Sequence, residues 1–302
     1  MNAAPLELSV ILPAYNEEGV IARVVGALCQ RLNEETDLIG HYEILVIDDG
    51  STDDTAQQAR SAGVGVRVVQ HPYNIGNGAA VKTGIRHARG RVLVFMDADG
   101  QHDPGQVPKF FKACSRYDMV VGARGRKSQA GLHRSLANAL YNGLASYVTG
   151  RRILDLTSGF RGVRRDVARR FAGLLPNGFS YPTTITLCLM RAGHSVLYEP
   201  IEAAKRTGKS KIRLLSDGTK FLMVIAKICM LFAPMKIFLP VSVYLFLMGL
   251  GYYGYTFQLE HRFTNMSMLL FTTSVVIFMM GLLAEQIAQL RFERTEEAVS
   301  DD

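Results

Sequence analysis

From Ile237 to Leu259 the chain reads IFLPVSVYLFLMGLGYYGYTFQL without a charge, and a second charge-free run extends from Phe263 to Ala284. A helix needs about 20 apolar residues to cross the hydrocarbon of a bilayer, so each run is long enough to span. Two buried core helices are the alternative; the length and charge-free character of both runs weigh against it. Only Glu260, His261 and Arg262 separate the runs, which predicts a tight helical hairpin with both ends on one side of a membrane. Positive charge selects the side. Lys205, Arg206, Lys209, Lys211, Arg213, Lys220, Lys227 and Lys236 precede the hairpin and Arg291 and Arg294 follow it, against Arg262 alone in the loop. The large N-terminal part is therefore expected in the cytoplasm. Residues 1–9 also lack the charged start and long apolar core of a secretory signal.

With 302 residues, 48% of them hydrophobic, one large domain or two smaller ones have room for a core. Between Lys211 and Ala233 charged residues recur at helical spacing among leucine, isoleucine, phenylalanine and methionine. That pattern suits a helix lying in the membrane interface, or an amphipathic helix packed on the soluble part. The expected organisation is a catalytic domain over 1–210, an interfacial helix over 211–235, spans over 236–290 and a cytoplasmic tail over 291–302. The net charge of +7 crowds toward the membrane segments, which favours anionic lipid over nucleic acid as its partner. Cys29, Cys114, Cys188 and Cys229 show no C-x-x-C pair, so neither a zinc site nor a disulfide framework is indicated.

The N-terminal half alternates short β-branched apolar runs with helical patterns. Strands are predicted at Leu8–Pro13, Tyr42–Ile47, Val66–Gln70, Val92–Met96 and Asp118–Val121, with helices at Glu17–Asn33, Thr52–Ala62, Gly78–Ala88 and Pro104–Ser115. The predicted class is α/β, a Rossmann-like, mostly parallel sheet covered on both faces, with ligands outside the carboxyl ends of its strands. Polar residues gather at those ends. The fourth strand runs into Asp97-Ala98-Asp99, and alternation puts Asp97, Asp99 and Gln101 on one side. Hard oxygen donors there suit Mg²⁺ or Mn²⁺, which in turn bridges phosphate oxygens. An acidic turn capping the next helix through Asp103-Pro104 is the plainer alternative.

The second strand ends in DDGSTD, where Ser51 or Asp53 is expected to cap a helix and Asp49 is placed to accept from a base or ribose. Tyr15, after the first strand, can stack on a base or simply pack. The stretch NIGNGAAVKTG fails both phosphate-loop patterns at Val81, where each needs a glycine, so its glycines are read as permitting a tight loop beside the ligand.

PAYNE, IDDGSTDDT, NIGNGAAVKTG and DADGQHDP, in this order and spacing, resemble family 2 glycosyltransferases of the GT-A fold. The similarity continues through DLTSGFR (155–161) and RTGKSK (206–211) and, with the two spans, is nearest to polyprenyl-phosphate glycosyltransferases. Dolichyl-phosphate mannose synthases and bacterial undecaprenyl-phosphate glucosyltransferases belong to that group. The resemblance implies a nucleotide-sugar donor, a polyprenyl-phosphate acceptor and a bacterial or archaeal plasma membrane. It places Pro13, Tyr15, Glu17, Ile47 and Asp49 around base and ribose, and Asp97, Ala98, Asp99 and Gln101 at the ribose, diphosphate and metal. Arg124 then lies near the phosphates, Lys205 or Arg206 with Lys211 forms a basic loop closing on the diphosphate, and Arg134 meets the acceptor phosphate. Asp97, Asp99, Arg124 and Asp155 carry the catalytic roles. Processive polysaccharide synthases of the family use a Q-x-x-R-W motif, and this chain has no tryptophan.

A phosphate monoester is largely dianionic at neutral pH, its second pKa being about 6, so such an acceptor needs no general base. Inverting attack then gives a β-linked product from an α-linked donor. A lipid hydroxyl would instead require Asp155 as base; with a phosphate acceptor Asp155 is expected to position, and capping of the Thr157-Ser158-Gly159 turn is its plainer alternative. A nucleotide-binding scaffold without turnover is the third reading. The sugar is not legible, and association with further copies through the small residues of the second span is left open.

Overall fold

A strand with no exposed residue must be covered on both faces, and Leu8–Ala14 (β1) is such a strand. The computed structural model describes residues 6–38, 40–124, 142–143, 145–147, 149–178, 180–201, 230 and 232–297. In it β1 pairs in parallel with Tyr42–Asp48 (β2) and Val92–Phe95 (β4), and β2 pairs in parallel with Val66–Gln70 (β3). Beyond β4 the sheet changes character. Arg161–Arg164 (β6) runs antiparallel to both β4 and Met119–Arg124 (β5), and Val196–Ile201 (β7) closes the edge parallel to β5. In the order β3-β2-β1-β4-β6-β5-β7 the chain switches from one side of β1 to the other between β3 and β4, and open α/β sheets hold their ligands in a crevice at the carboxyl ends of the strands flanking such a switch, here β1 and β4.

Helices cover the sheet as the spacing of their apolar residues requires. Glu18–Glu34 (α1) buries Ile21, Val24, Val25, Leu28 and Leu32, one stripe at helical period. Thr55–Ser61 (α2), Asn77–His87 (α3) and Val107–Ala113 (α4) follow β2, β3 and β4. The face of α3 is made of small residues: a Cβ at Gly84 would lie 2.4 Å from Ile11 Cγ2, so the helix sits directly on β1. Arg165–Phe171 (α5) and Tyr181–Arg191 (α6) follow β6, and α6 is buried from Tyr181 to Met190.

Two compact units divide the chain, with residues 212–302 in the second. Its long helices are Met235–Glu260 (α7) and Asn265–Glu297 (α8), against expected spans of 237–259 and 263–284. Their most apolar windows average hydropathies of 1.6 and 2.1, and only 11% and 17% of those windows is buried. A core helix of a soluble domain would be mostly covered; these apolar side chains face outward. His261 adopts the left-handed conformation (φ 49°) that ends α7 and turns the chain. Between the helices Ser242 Oγ donates to Ser274 O at 3.0 Å and Ser274 Oγ returns a bond to Ser242 O at 2.9 Å. Gly281 lies against Phe238 and Met235, where its missing side chain lets the two helices approach, and Thr264 bonds Ser267 at the start of α8. The expected interfacial helix over 211–235 lies, but for its last residues, outside the described residues.

Candidate active site

The tips of β1 and β2 are sewn together. Asn16, in the left-handed region (φ 55°), accepts from Thr52 N at 2.9 Å, while its own N–H reaches Ser51 Oγ at 3.0 Å and Glu17 N reaches Thr55 Oγ1 at 2.8 Å. Asp53 accepts from Thr55 N at 3.1 Å from one position before the N-cap, which is Asp54 and makes no side-chain capping bond, so neither Ser51 nor Asp53 is the cap expected. Burial raises the Asp53 carboxyl, but hydrogen bonds from Thr55 and the Glu18 N–H outweigh that and hold it below the ordinary range. Pro13 and Ile47 face each other across the β1–β2 ladder and are buried; Tyr15 is 45% exposed and Glu17 half-buried.

Asp49, also buried, fastens the glycine-rich loop. Its Oδ1 accepts from Ile75 N at 3.0 Å and lies 2.7 Å from His71 Nδ1, and its Oδ2 accepts from Gly76 N at 2.8 Å. His71 Nε2 continues the chain to Thr83 Oγ1 at 2.9 Å. Gly50 has φ 72°, and a Cβ there would fall 2.3 Å from the carbonyl carbon of Tyr73. Backbone strain and collision with main chain both oppose a side chain. Gly50→Ala is therefore expected to destabilise the protein by about 3 kcal/mol, read as a lowered thermal midpoint.

β4 delivers the acidic cluster. Asp97 is 38% exposed, Ala98 buried, and Asp99 and Gln101 half-buried. Asp99 Oδ1 accepts from Gln101 N at 3.1 Å across Gly100, whose φ of 72° makes the turn. Asp103 caps the following 3₁₀ turn, accepting from Gly105 N at 2.8 Å. The capping alternative is thus met by Asp103. No group of three His, Cys, Asp or Glu able to hold a metal occurs among the described residues. β4 ends at Phe95 and the chain turns at Ala98–Asp99, so the strand alternation expected to carry Asp97, Asp99 and Gln101 on one side does not extend through them. By donor type alone, two carboxylates and an amide oxygen suit a hard divalent cation.

On the other side of the crevice, Asp155 grips Arg124 in a two-point ion pair, with Arg124 Nε donating to Oδ2 at 2.8 Å and Nη2 to Oδ1 at 3.0 Å. Arg124 Nη2 also donates to Thr157 Oγ1 at 2.7 Å. Asp155 Oδ1 accepts from Thr157 N and Ser158 N, both at 3.1 Å, so it caps its own turn as well. Burial pushes the Asp155 carboxyl up, but the bonds and charge of Arg124 prevail and hold it below the usual carboxylate range. The same bond, against burial, raises Arg124, and the charges of Asp155 and Asp97 reinforce it.

Residues 9–171 match glycosyl transferase family 2, and residues 233–290 match the GtrB C-terminal hairpin. The chain belongs to glycosyl transferase family 2. It is 32% identical over 172 residues to a dodecaprenyl-phosphate galacturonate synthase of Rhizobium johnstonii, covering 55% of this chain and 50% of that one. The chain thus spans about half the length of that relative. It is 28% identical to an undecaprenyl-phosphate 4-deoxy-4-formamido-L-arabinose transferase of Aeromonas hydrophila over 96% of this chain and 91% of the other. Among solved structures, glucosyl-3-phosphoglycerate synthase from Mycobacterium tuberculosis, in complex with Mn²⁺, UDP-glucose and phosphoglyceric acid, superposes with a TM-score of 0.59 at 21% identity, over 75% of this chain and 80% of that one. At that identity the likeness speaks for a shared GT-A fold alone.

Within this family 2 chain the structure brings Asp97, Arg124 and Asp155 into one electrostatic neighbourhood. Arg134, Lys205, Arg206 and Lys211 lie outside the described residues. Two residues to which the sequence assigned no role of their own prove central to the local architecture. His71 is one: it follows β3 by one residue as Asp49 follows β2, and the parallel register Asp48↔Gln70 makes them neighbours. Arg161 is the other. It is fully buried, and its guanidinium donates to Ser158 O, to Pro182 O at 2.7 Å and to Thr186 Oγ1 at 3.0 Å, all uncharged acceptors.

Proposed function

We propose that this protein transfers a hexose from a nucleotide sugar, a UDP- or GDP-sugar, to a polyprenyl phosphate with inversion at the anomeric carbon. The observation that carries this reading is the Arg124–Asp155 pair. A general base for a hydroxyl acceptor needs a pKa near the working pH and a free lone pair. Asp155 has its carboxyl held low and both oxygens engaged, which disfavours the hydroxyl-acceptor alternative. A phosphate acceptor arrives already deprotonated and asks only to be positioned.

In this scheme Tyr15, Glu17, Pro13, Ile47 and Asp49 shape the base and ribose end, Asp49 through the loop it fastens. Asp97, Asp99 and Gln101 would hold Mg²⁺ or Mn²⁺, which would supply positive charge to offset that of the leaving diphosphate. Arg124, about one-third exposed and aimed by Asp155, presents its charge to the same region. Arg134 takes the acceptor phosphate, and Lys205 or Arg206 with Lys211 closes on the diphosphate. The apolar hairpin anchors the enzyme in the membrane with its catalytic domain, residues 1–210, in the cytoplasm of a bacterial or archaeal cell. An enzyme anchored in the membrane that holds its lipid acceptor searches for it in two dimensions.

The deciding experiment is transfer to a short polyprenyl phosphate by the purified full chain, with UDP- and GDP-sugars in parallel and with or without a chelator. Chelator-sensitive glycolipid supports the proposal; binding of a donor without product on any lipid phosphate overturns it. The pH profile separates acceptors further. Transfer is expected to fall as pH drops through about 6, where the acceptor phosphate takes a proton, and Asp155→Asn is expected to leave that limb in place.

A further inference from the structure

The Ser158-Gly159-Phe160 turn is held at three points. Ser158 N donates to Asp155 Oδ1 at 3.1 Å, Ser158 O accepts from Arg161 Nε at 3.1 Å, and Phe160 O accepts from Gly122 N at 2.9 Å. Backbone tied in this way does not yield easily. Gly159 stands in the middle of it, with its Cα directed at the acid of the opposite strand end: a Cβ there would lie 2.6 Å from Asp97 Oδ2 and 2.9 Å from Oδ1. Its backbone is not in the left-handed region, so conformational freedom does not explain the glycine. The absence of a side chain does one visible thing, which is to leave room for the Asp97 carboxylate. On another side His102, buried and stacked on Phe160 at 5.1 Å, brings Nε2 to 3.7 Å from Asp97 Oδ2.

We infer that Gly159 is a positioning residue for Asp97: the bare backbone of the Asp155 turn is the surface against which the donor-side carboxylate is set. The inference rests on the donor-site reading of Asp97 given above. Arg161 contributes from beneath. A guanidinium buried without a contacting carboxylate is costly, and here it pins the carbonyl before Gly159 to Pro182 and Thr186 of α6. One turn thereby joins the two sides of the crevice, since the Asp155 that aims Arg124 also anchors the backbone that aims Asp97.

The test is Gly159→Ala in the full chain, with Asp97→Ala and the double variant completing a cycle. The readout is Mn²⁺ binding followed by electron paramagnetic resonance, in the presence of UDP and separately of GDP, beside the thermal midpoint. Gly159→Ala is expected to weaken Mn²⁺–nucleotide binding by about tenfold or more, because the added methyl displaces the carboxylate rather than the tied backbone. In the Asp97→Ala background the same change is expected to alter binding by less than about twofold, since the group it collides with is gone. Unchanged binding by Gly159→Ala, or losses that multiply in the double variant, overturns the inference. If Gly159→Ala alone does not fold, a folded double variant supports it and an unfolded one overturns it. Absence of Mn²⁺–nucleotide binding in the unaltered protein overturns the donor-site reading and this inference with it. Wild-type binding that Gly159→Ala leaves intact overturns this one alone.

Discussion

Asp99→Asn is expected to lower sugar transfer by about 10²–10³-fold, the scale of losing one preorganised electrostatic contact to a developing charge. The substitution is nearly isosteric, and the amide oxygen of asparagine can still accept from Gln101 N, the bond that Asp99 makes across the Gly100 turn. The turn after β4 is thus expected to persist, with a thermal midpoint close to that of the unaltered protein. What goes is the negative charge. Under the proposed metal site of Asp97, Asp99 and Gln101 the cation would lose one of two carboxylates, so Mn²⁺ affinity should fall together with turnover. Rates measured across a range of Mn²⁺ concentrations, with the midpoint alongside, check both statements. Near-wild-type transfer by Asp99→Asn would remove Asp99 from the metal site.

Asp155→Ala is expected to act on stability and on catalysis together. The carboxylate is buried and receives N–H groups from Arg124, Thr157 and Ser158. Removing it strands those donors and an arginine that is only partly solvated, a cost of about 2–4 kcal/mol. Arg124 then loses its fixed direction, and transfer should fall by about 10²-fold. If Asp155 acts through Arg124, the double variant Arg124→Ala/Asp155→Ala should be little worse than either single one. The sign of the pH effect follows from the lowered carboxyl. Its contribution to stability is present in full above the unfolded-state value of about 3.9 and is lost as pH falls through the lower folded value. Wild-type and Asp155→Asn midpoints should therefore differ most near neutrality and converge only in strong acid, which thermal melts between neutral and acid pH can show.

The parallel half of the sheet was legible because β1, β2, β3 and β4 carry β-branched apolar runs closed by polar tips, and the helices between them carry a clear helical period. Of the remaining strands β5 was legible, at Asp118–Val121, and β6 and β7 were not. β6 is four residues, RGVR, with no apolar alternation, and it is a strand because β4 and β5 both offer it ladder partners. β7 contains Pro200, which speaks against a central strand and is tolerated here because β7 is the sheet's edge. The second span was read to end at Ala284, yet α8 continues to Glu297. Hydropathy marks the stretch a bilayer can hold, whereas glutamate, glutamine, arginine and alanine extend a helix well beyond it.

At the site, Asp97 and Asp99 announced themselves by ending an apolar strand, and DLTSGFR by its turn chemistry. The pairing of Asp155 with Arg124 could not be read, because it depends on β5 lying next to β6 rather than next to β4. Arg161 was hidden for a related reason: arginine is usually a surface residue, and nothing local distinguishes one that is fully buried.

Parallel strands bring their last residues to the crevice; a strand running the other way brings its first. β6 is such a strand, so the segment preceding it, Asp155–Phe160, arrives at the same rim as the segments that follow β1, β2 and β4. One reversed strand thus sets a single turn against two groups at once, Arg124 through Asp155 and Asp97 through Gly159. A change in the length of the chain just ahead of β6 is therefore felt by both together, whereas the exits of β1 and β2 keep their own register.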